Sequence, residues 1–261
     1  METAANAGAA VAMAAFRTDL TVETKDSKTD VVTRADVDAQ RAVVEAVHES
    51  YPGETVVGEE EGGPKELPDS GPCWVVDPID GTSNFVRGIG LWATSVAAVE
   101  DGEALAAATV VPALDDVYRT DGETATLNGD PVSVSRLADP ERFAVAPTLR
   151  WPRRDARRVG DLCAAVVERF GDLRRFGSAQ VTLAAVAAGQ LEGAVSAGES
   201  HPWDTVAGVA MIRAAGGRVT DLAGERWTPD AGGLVASNDA AHEALLAAVQ
   251  SAYGDATGRN P

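Results

Sequence analysis

The twelve residues from Trp74 to Phe85, WVVDPIDGTSNF, place two carboxylates three positions apart beside a proline, a glycine and two hydroxyls. Trp74 to Val76 has the pattern of a buried strand. Pro78 fixes φ and lacks an N–H, so the strand is predicted to break at Asp77, while Gly81 admits backbone conformations closed to other residues. Asp77 and Asp80 bracket Ile79, whose carbonyl can face the same point as both carboxylates. Thr82 and Ser83 can open a following helix whose free N–H groups point back at the turn. Two hard anions and a carbonyl suit Mg²⁺ or Mn²⁺, and N–H groups at a helix start suit a phosphate. The competing reading is that Asp77 and Asp80 only cap the turn. More acids weigh against it: Glu59, Glu60 and Glu61 follow a short apolar run, and Asp204 opens a long apolar helix in HPWDTVAGVAMIRAAGG. Clustered carboxylates repel one another unless some protonate or a cation neutralises them.

The elements that must position these groups can be read from periodicity and turn chemistry. Helices are predicted over residues 4 to 17 and 36 to 50, the second with Val37, Val43, Val44 and Val47 on one face. Asp101-Gly102 and Asn128-Gly129 each suit a tight hairpin, giving an antiparallel meander after the acidic turn. From Pro140 strand and helix alternate: helices near 155 to 170, 178 to 189 and 204 to 215, strands at LEGAVSA and at 234 to 237, and a final helix carrying Leu245, Leu246 and Val249. No repeat or low-complexity linker divides the chain. We expect one catalytic unit over 1–261, with a metal-binding lobe at 1–139 and a substrate lobe at 140–261.

Composition excludes several classes. Asp plus Glu number 40 against 22 Lys plus Arg, a net charge of −18, and only Lys25, Lys28 and Lys65 are lysines. A nucleic acid held by a basic face is disfavoured. Such a surface repels itself in dilute buffer and is screened in concentrated salt, which points to a halophilic, salt-rich cytoplasm. Cys73 and Cys163 read as buried thiols of a reducing compartment. The N-terminus carries Glu2 and no early cation, so it reads as a first helix and not a secretory signal. No apolar run is long enough to span a membrane.

Three segments in order, GEE at 58–60, WVVDPIDGTSNF at 74–85 and WDTVAG at 203–208, resemble the Mg²⁺-dependent, lithium-sensitive phosphatases related to inositol monophosphatase. The resemblance covers nearly the whole chain. It implies an α+β fold, a layered αβαβα sandwich of the inositol monophosphatase and fructose-1,6-bisphosphatase type. It makes Glu59, Asp77 and the Ile79 carbonyl ligands of a first metal, and Asp77, Asp80 and Asp204 ligands of a second, with two or three Mg²⁺ per site and Mn²⁺ as a substitute. Glu60 and Glu61 are expected to be solvated neighbours. Asp36 matches a position that works with Thr82 to orient the attacking water, although Thr33-x-x-Asp36 also has capping-box spacing. The implied reaction is direct hydrolysis of a small phosphorylated substrate, with the N–H groups around Gly81, Thr82 and Ser83 cradling the phosphate. No covalent intermediate is needed. Relatives are commonly homodimers.

Gly177, Ser178 and Ala179 match a stretch that lies along the sugar or inositol in the family. An acid that binds an inositol hydroxyl in animal relatives has no clear equivalent here, since Ala197 stands near its place and Glu199 is displaced. Inositol 1-phosphate is the expected substrate. Fructose 1,6-bisphosphate is the alternative, alone or in addition, ahead of adenosine 3',5'-bisphosphate and histidinol phosphate; a catalytically inactive metal-binding regulator is the reading from another class. Arg150, Arg153, Arg154, Arg157 and Arg158 form a basic cluster that is either a solvated helix start or a clamp for a remote second phosphate. His48 and His242 are expected on the surface or satisfied in the core, and His201 near the pocket.

Overall fold

A computed structural model describes residues 1–19, 22–24, 31–60, 62–148, 156–198 and 200–253. Helices α1 (Glu2–Ala15) and α2 (Arg34–Ser50) are separated by the short antiparallel pair β1 (Val22–Thr24) and β2 (Val31–Thr33). A seven-stranded sheet then runs in sequence order through β3 (Thr55–Gly58), β4 (Pro72–Asp80), β5 (Ala93–Glu100), β6 (Glu103–Val111), β7 (Asp116–Thr120), β8 (Ala125–Leu127) and β9 (Asp130–Val132). It is antiparallel except where β3 pairs with β4. The short helix α3 (Thr82–Val86) lies between β4 and β5. The second half holds β10 (Ala144–Pro147), α4 (Ala156–Arg169), β11 (Asp172–Leu173), α5 (Ala179–Ala187), β12 (Gly193–Ser196), α6 (Pro202–Ala214), β13 (Arg218–Thr220), β14 (Leu234–Ser237) and α7 (His242–Tyr253). Its five strands are ordered β11-β10-β12-β14-β13.

Strand alternation builds the layers. In β4, Trp74 and Val76 pack with Ala5, Val43 and Val47 of α1 and α2, whereas Cys73 and Val75 face Leu183, Val206 and Met211 of α5 and α6. A strand covered on both faces reads as a continuous apolar run, and each fully buried Val contributes roughly 1.5–3 kcal/mol. Ala194, Leu234 and Ala236 of the second sheet close on the same α5–α6 layer, and Val145, Val195 and Val235 turn the other way onto Leu162 and Leu245 of α4 and α7. The order is therefore helix pair, sheet, helix pair, sheet, helix pair, the expected α+β sandwich.

The two hairpins form as their turn residues require. Asp101 and Gly102 have φ of 51° and 80°, and Asn128 and Gly129 have 53° and 87°, the doubly positive φ of a tight turn. Val43 and Val47 are buried as predicted for α2, but Val37 is 45% exposed and Val44 only half-buried, and Ala35 and Ala39 complete the buried face instead. Small alanines let α1 pack closely there, so the helix turns its alanine stripe inward. Cys73 is buried as expected, but Cys163 is only half-buried.

Candidate active site

β4 does not break at Asp77. It carries a bulge: Asp77 pairs with Ser95 and Asp80 with Ala93, so three steps along β4 oppose two along β5. In a regular strand residues three apart point to opposite faces, and one extra residue restores them to the same side. Pro78 is tolerated at the bulge because no ladder N–H is needed there, and its carbonyl accepts from Thr94 Oγ1 at 2.7 Å. The bulge thus turns both carboxylates toward the starts of α5 and α6. There they meet Asp204, and one ligand oxygen from each of Asp77, Asp80 and Asp204 lies within 4.8 Å of the others.

Each acid is held differently. Asp80 accepts from the Ala179 N–H at 3.1 Å, the Gln180 N–H at 2.6 Å and the Ser178 hydroxyl, so it occupies the positive N-terminus of α5. Asp204 Oδ2 accepts from the His201 N–H at 2.8 Å, which fixes it in the first turn of α6. Asp77 is 1% exposed, and its Oδ1 has no hydrogen-bond partner among the described residues. Burial, with the charges of Glu59, Asp80, Asp204 and Asp36, holds its carboxyl well above the usual carboxylate range. Burial also raises Asp80 to about 6 against its three hydrogen bonds, which favour the anion. Three converging carboxylates, two of them buried and one with an orphaned oxygen, fit a divalent cation, which would neutralise the repulsion and take the free lone pairs.

Asp36 and Thr82, the pair expected to orient water, are in contact with each other, and the charge of Asp36 acts on Asp77. Asp36 caps α2 through Oδ2, which accepts from the Thr33 N–H at 2.8 Å and the Thr33 hydroxyl at 2.7 Å. Its other oxygen, Oδ1, is 3.3 Å from Thr82 Oγ1, so capping and contact with Thr82 coexist. Burial pushes Asp36 up to about 6, opposed by the Thr33 hydrogen bonds. Thr82 Oγ1 is also 3.1 Å from the Ile79 carbonyl, and its single proton can go to only one of the two. The Ile79 side chain is buried with Phe85 and Trp92, which anchors the turn from the opposite face.

Gly81 has φ +91°, and a Cβ there would lie 3.0 Å from Ser178 Cβ and 3.2 Å from the Gly177 carbonyl. Only glycine lets the turn approach residues 177–180 this closely. Asn84 fastens the same contact, donating from Nδ2 to the Leu91 and Phe176 carbonyls at 2.7 Å each. The bonds of Ser178 and Ala179 go to Asp80, so this predicted substrate stretch also braces a cluster carboxylate. Ser83 accepts from Arg87 through its carbonyl at 2.9 Å and through its hydroxyl.

Glu59 is half-buried, and its charge acts on Asp36, Asp77 and Asp80. Glu60 is not a solvated neighbour. It is 4% exposed, and its backbone exchanges hydrogen bonds with Gln40 at 2.8 and 3.2 Å. Its N–H and carbonyl leave the sheet beyond β3, and Gln40 of α2 replaces the lost strand partners. Gln40, Asn84 and Gln180 escaped sequence reasoning, although Asn84 stands inside the acidic motif. His201 is exposed and stacks on Trp203 with centroids 4.5 Å apart. His48 is an exposed surface residue, and His242 is fully buried. Glu61, Glu199, Arg150, Arg153 and Arg154 lie outside the described residues, and Arg157 and Arg158 are exposed on α4. Among the described residues no helix is long and apolar enough to cross a membrane.

Comparison with known proteins gives the family and the fold. The chain is 38% identical over 230 residues to the inositol-1-monophosphatase ImpA of Mycolicibacterium smegmatis, covering 85% of this chain and 81% of that protein. It is 32% identical over 239 residues to a fructose-1,6-bisphosphatase/inositol-1-monophosphatase of Thermotoga maritima, covering 91% and 90%. A solved inositol monophosphatase structure from Thermotoga maritima superposes with a TM-score of 0.87 at 29% identity, over 97% of this chain and 96% of that one. The sequence pattern of the inositol monophosphatase family matches residues 1–253, so the chain belongs to that family of metal-dependent phosphatases.

Proposed function

We propose that this phosphatase is Mg²⁺-dependent and hydrolyses phosphomonoesters of small polyols or sugars, with inositol 1-phosphate as its preferred substrate. The observation that carries the reading is the cluster of buried Asp77 and Asp80 with half-buried Asp204, and its orphaned Asp77 oxygen. Asp77, Asp80, Asp204, Glu59 and the Ile79 carbonyl would hold the ions. When bound, Mg²⁺ supplies positive charge for the phosphate and leaving oxygen and makes a water easier to deprotonate. The chain supplies position. Thr82 donates its one proton to Asp36, which frees the Ile79 carbonyl and leaves the hydroxyl lone pairs to accept from the attacking water. Asp36 can accept that hydrogen bond because a group raised to about 6 is mostly ionised at neutral pH. The N–H groups of Thr82 and Ser83, in the first turn of α3, have no intrahelical partner and would receive the phosphate oxygens.

Fructose-1,6-bisphosphatase activity is the second reading. It is favoured by Ala197, which offers no carboxylate where an inositol hydroxyl would need one, and by the Thermotoga relative named for both activities. Release of phosphate from inositol 1-phosphate, fructose 1,6-bisphosphate, adenosine 3',5'-bisphosphate and histidinol phosphate, each with and without Mg²⁺, separates these readings. Turnover of inositol 1-phosphate that requires Mg²⁺ supports the proposal. No Mg²⁺-dependent release from any of the four would favour a non-catalytic metal-binding role.

A further inference from the structure

Where β3 ends, the backbone of residues 58–60 turns three successive carbonyls toward one point. Lys65 occupies it: its Nζ donates to the carbonyls of Gly58 at 2.9 Å, Glu59 at 2.8 Å and Glu60 at 2.5 Å. Converging carbonyl dipoles repel one another and require a cation or several donors between them. An ammonium has three N–H donors and one positive charge, and it meets both needs with charge-assisted bonds. The same nitrogen lies 5.6 Å from the centroid of the Trp203 ring, whose π face attracts a cation. Trp203 is 5% exposed, its carbonyl accepts from Gln180 Nε2 at 2.6 Å, and the next residue is Asp204.

We propose that Lys65 is a positioning residue for the metal cluster. Its ammonium gathers the backbone that carries Glu59 and clamps it, through Trp203, against the start of α6 that carries Asp204. Two ligand arms that are 145 positions apart in sequence, Glu59 and Asp204, are thereby held at a fixed separation. Gln40 secures the same backbone from the other side through Glu60, so the Glu59 arm is gripped between α2 and α6. The inference rests on the reading of the acidic cluster as a Mg²⁺ site.

Position and charge make opposite demands, and this gives the test its sign. If Lys65 acted only through its field, removing a positive charge beside a cation site would tighten Mg²⁺ binding. If it acts by holding the ligand arms, removing it must weaken binding, by about 10- to 100-fold on the scale of lost outer-shell partners. The experiment is calorimetric titration of Mg²⁺ into metal-free wild type, Lys65→Met and Lys65→Gln, with steady-state kinetics at saturating Mg²⁺ alongside. Lys65→Gln keeps two N–H donors without the charge. The expected result is a large loss of Mg²⁺ affinity in Lys65→Met, a smaller loss in Lys65→Gln, and kcat recovered in both once Mg²⁺ saturates. Should Lys65→Met not fold, the loss in Lys65→Gln decides. Unchanged or tighter binding in the variants overturns the inference, including the case where melting temperature falls but Mg²⁺ affinity does not. A wild type that takes up no Mg²⁺ overturns the metal-site reading itself, and the inference with it.

Discussion

Replacing Asp77 by Asn should have opposite effects on the metal-free and the Mg²⁺-loaded protein. Asp77 is the buried centre of the acidic cluster, and burial with four neighbouring carboxylates raises its pKa. A carboxylate whose native pKa lies above its unfolded value binds an extra proton when folded. The native state is therefore favoured at low pH and loses that advantage as pH rises through the native pKa. For Asp36 and Asp80, raised from 3.8 to about 6, full ionisation costs up to roughly 3 kcal/mol each, and the costs are coupled rather than additive. Asparagine has nearly the same shape and no charge, so metal-free Asp77→Asn should melt higher than wild type at pH 7.5. Magnesium should reverse the order. At a hundred times its dissociation constant an ion stabilises the native state by about 2.7 kcal/mol per site, which raises the melting temperature of a chain this size by roughly 5–10 °C. That rise should nearly vanish in Asp77→Asn, together with nearly all turnover. The assay is thermal unfolding at pH 7.5 with chelator and with Mg²⁺, beside phosphate release. A variant that keeps the full Mg²⁺ shift and turns over within about tenfold of wild type would remove Asp77 from the centre of the site.

Thr82→Ala should lower kcat while leaving Mg²⁺ affinity nearly intact, because the hydroxyl contacts Asp36 and the Ile79 carbonyl and is not a proposed ligand; equal losses in both would contradict that division. His242 should titrate far below an ordinary histidine, pushed down to about 4 by burial first and Arg218 second. Thr220 Oγ1 gives its proton to the Asp221 carbonyl, so the neutral imidazole donates from Nε2 to Thr220 and accepts at Nδ1 from Ser237. Its contribution to stability is complete above 6.5 and lost as pH falls toward 4, the reverse of the acidic cluster, so an NMR titration of the ring separates the two, and a midpoint near 6.5 would refute it. Resistance to urea should be greater in molar KCl than in dilute buffer, given the net charge of −18 and a Debye length of about 3 Å at 1 M salt; no gain would end the salt-rich interpretation.

Features that depend on local chemistry were legible in the sequence, and features that depend on pairing were not. Asp101-Gly102 and Asn128-Gly129 announced their hairpins because few residue pairs tolerate two positive φ angles. Leu234 to Ser237 could be read as a strand from its apolar run alone. The bulge at Pro78 was hidden, because a bulge is a mismatch between two strands and β5 had to be seen beside β4. Pro78 therefore suggested a break where the ladder resumes at Asp80. The exposure of Val37 and the burial of Glu60 were misread for a related reason: α1 selects which stripe of α2 is covered, and Gln40, twenty positions away, selects the environment of Glu60. The acids of the cluster stood out because their types and spacing suit a cation. Lys65, on a glycine-bearing loop, gave no such signal until the carbonyls it joins were brought together.

The central claim, that Asp77, Asp80 and Asp204 hold a divalent cation, is tested most directly by anomalous diffraction from crystals grown with Mn²⁺, whose electrons mark its position. The account predicts a peak within coordination distance, about 2.0–2.3 Å, of oxygens from all three carboxylates, and its disappearance in crystals of Asp77→Asn. No peak at this cluster with Mn²⁺ in excess, or a peak there that persists undiminished in Asp77→Asn, would contradict it.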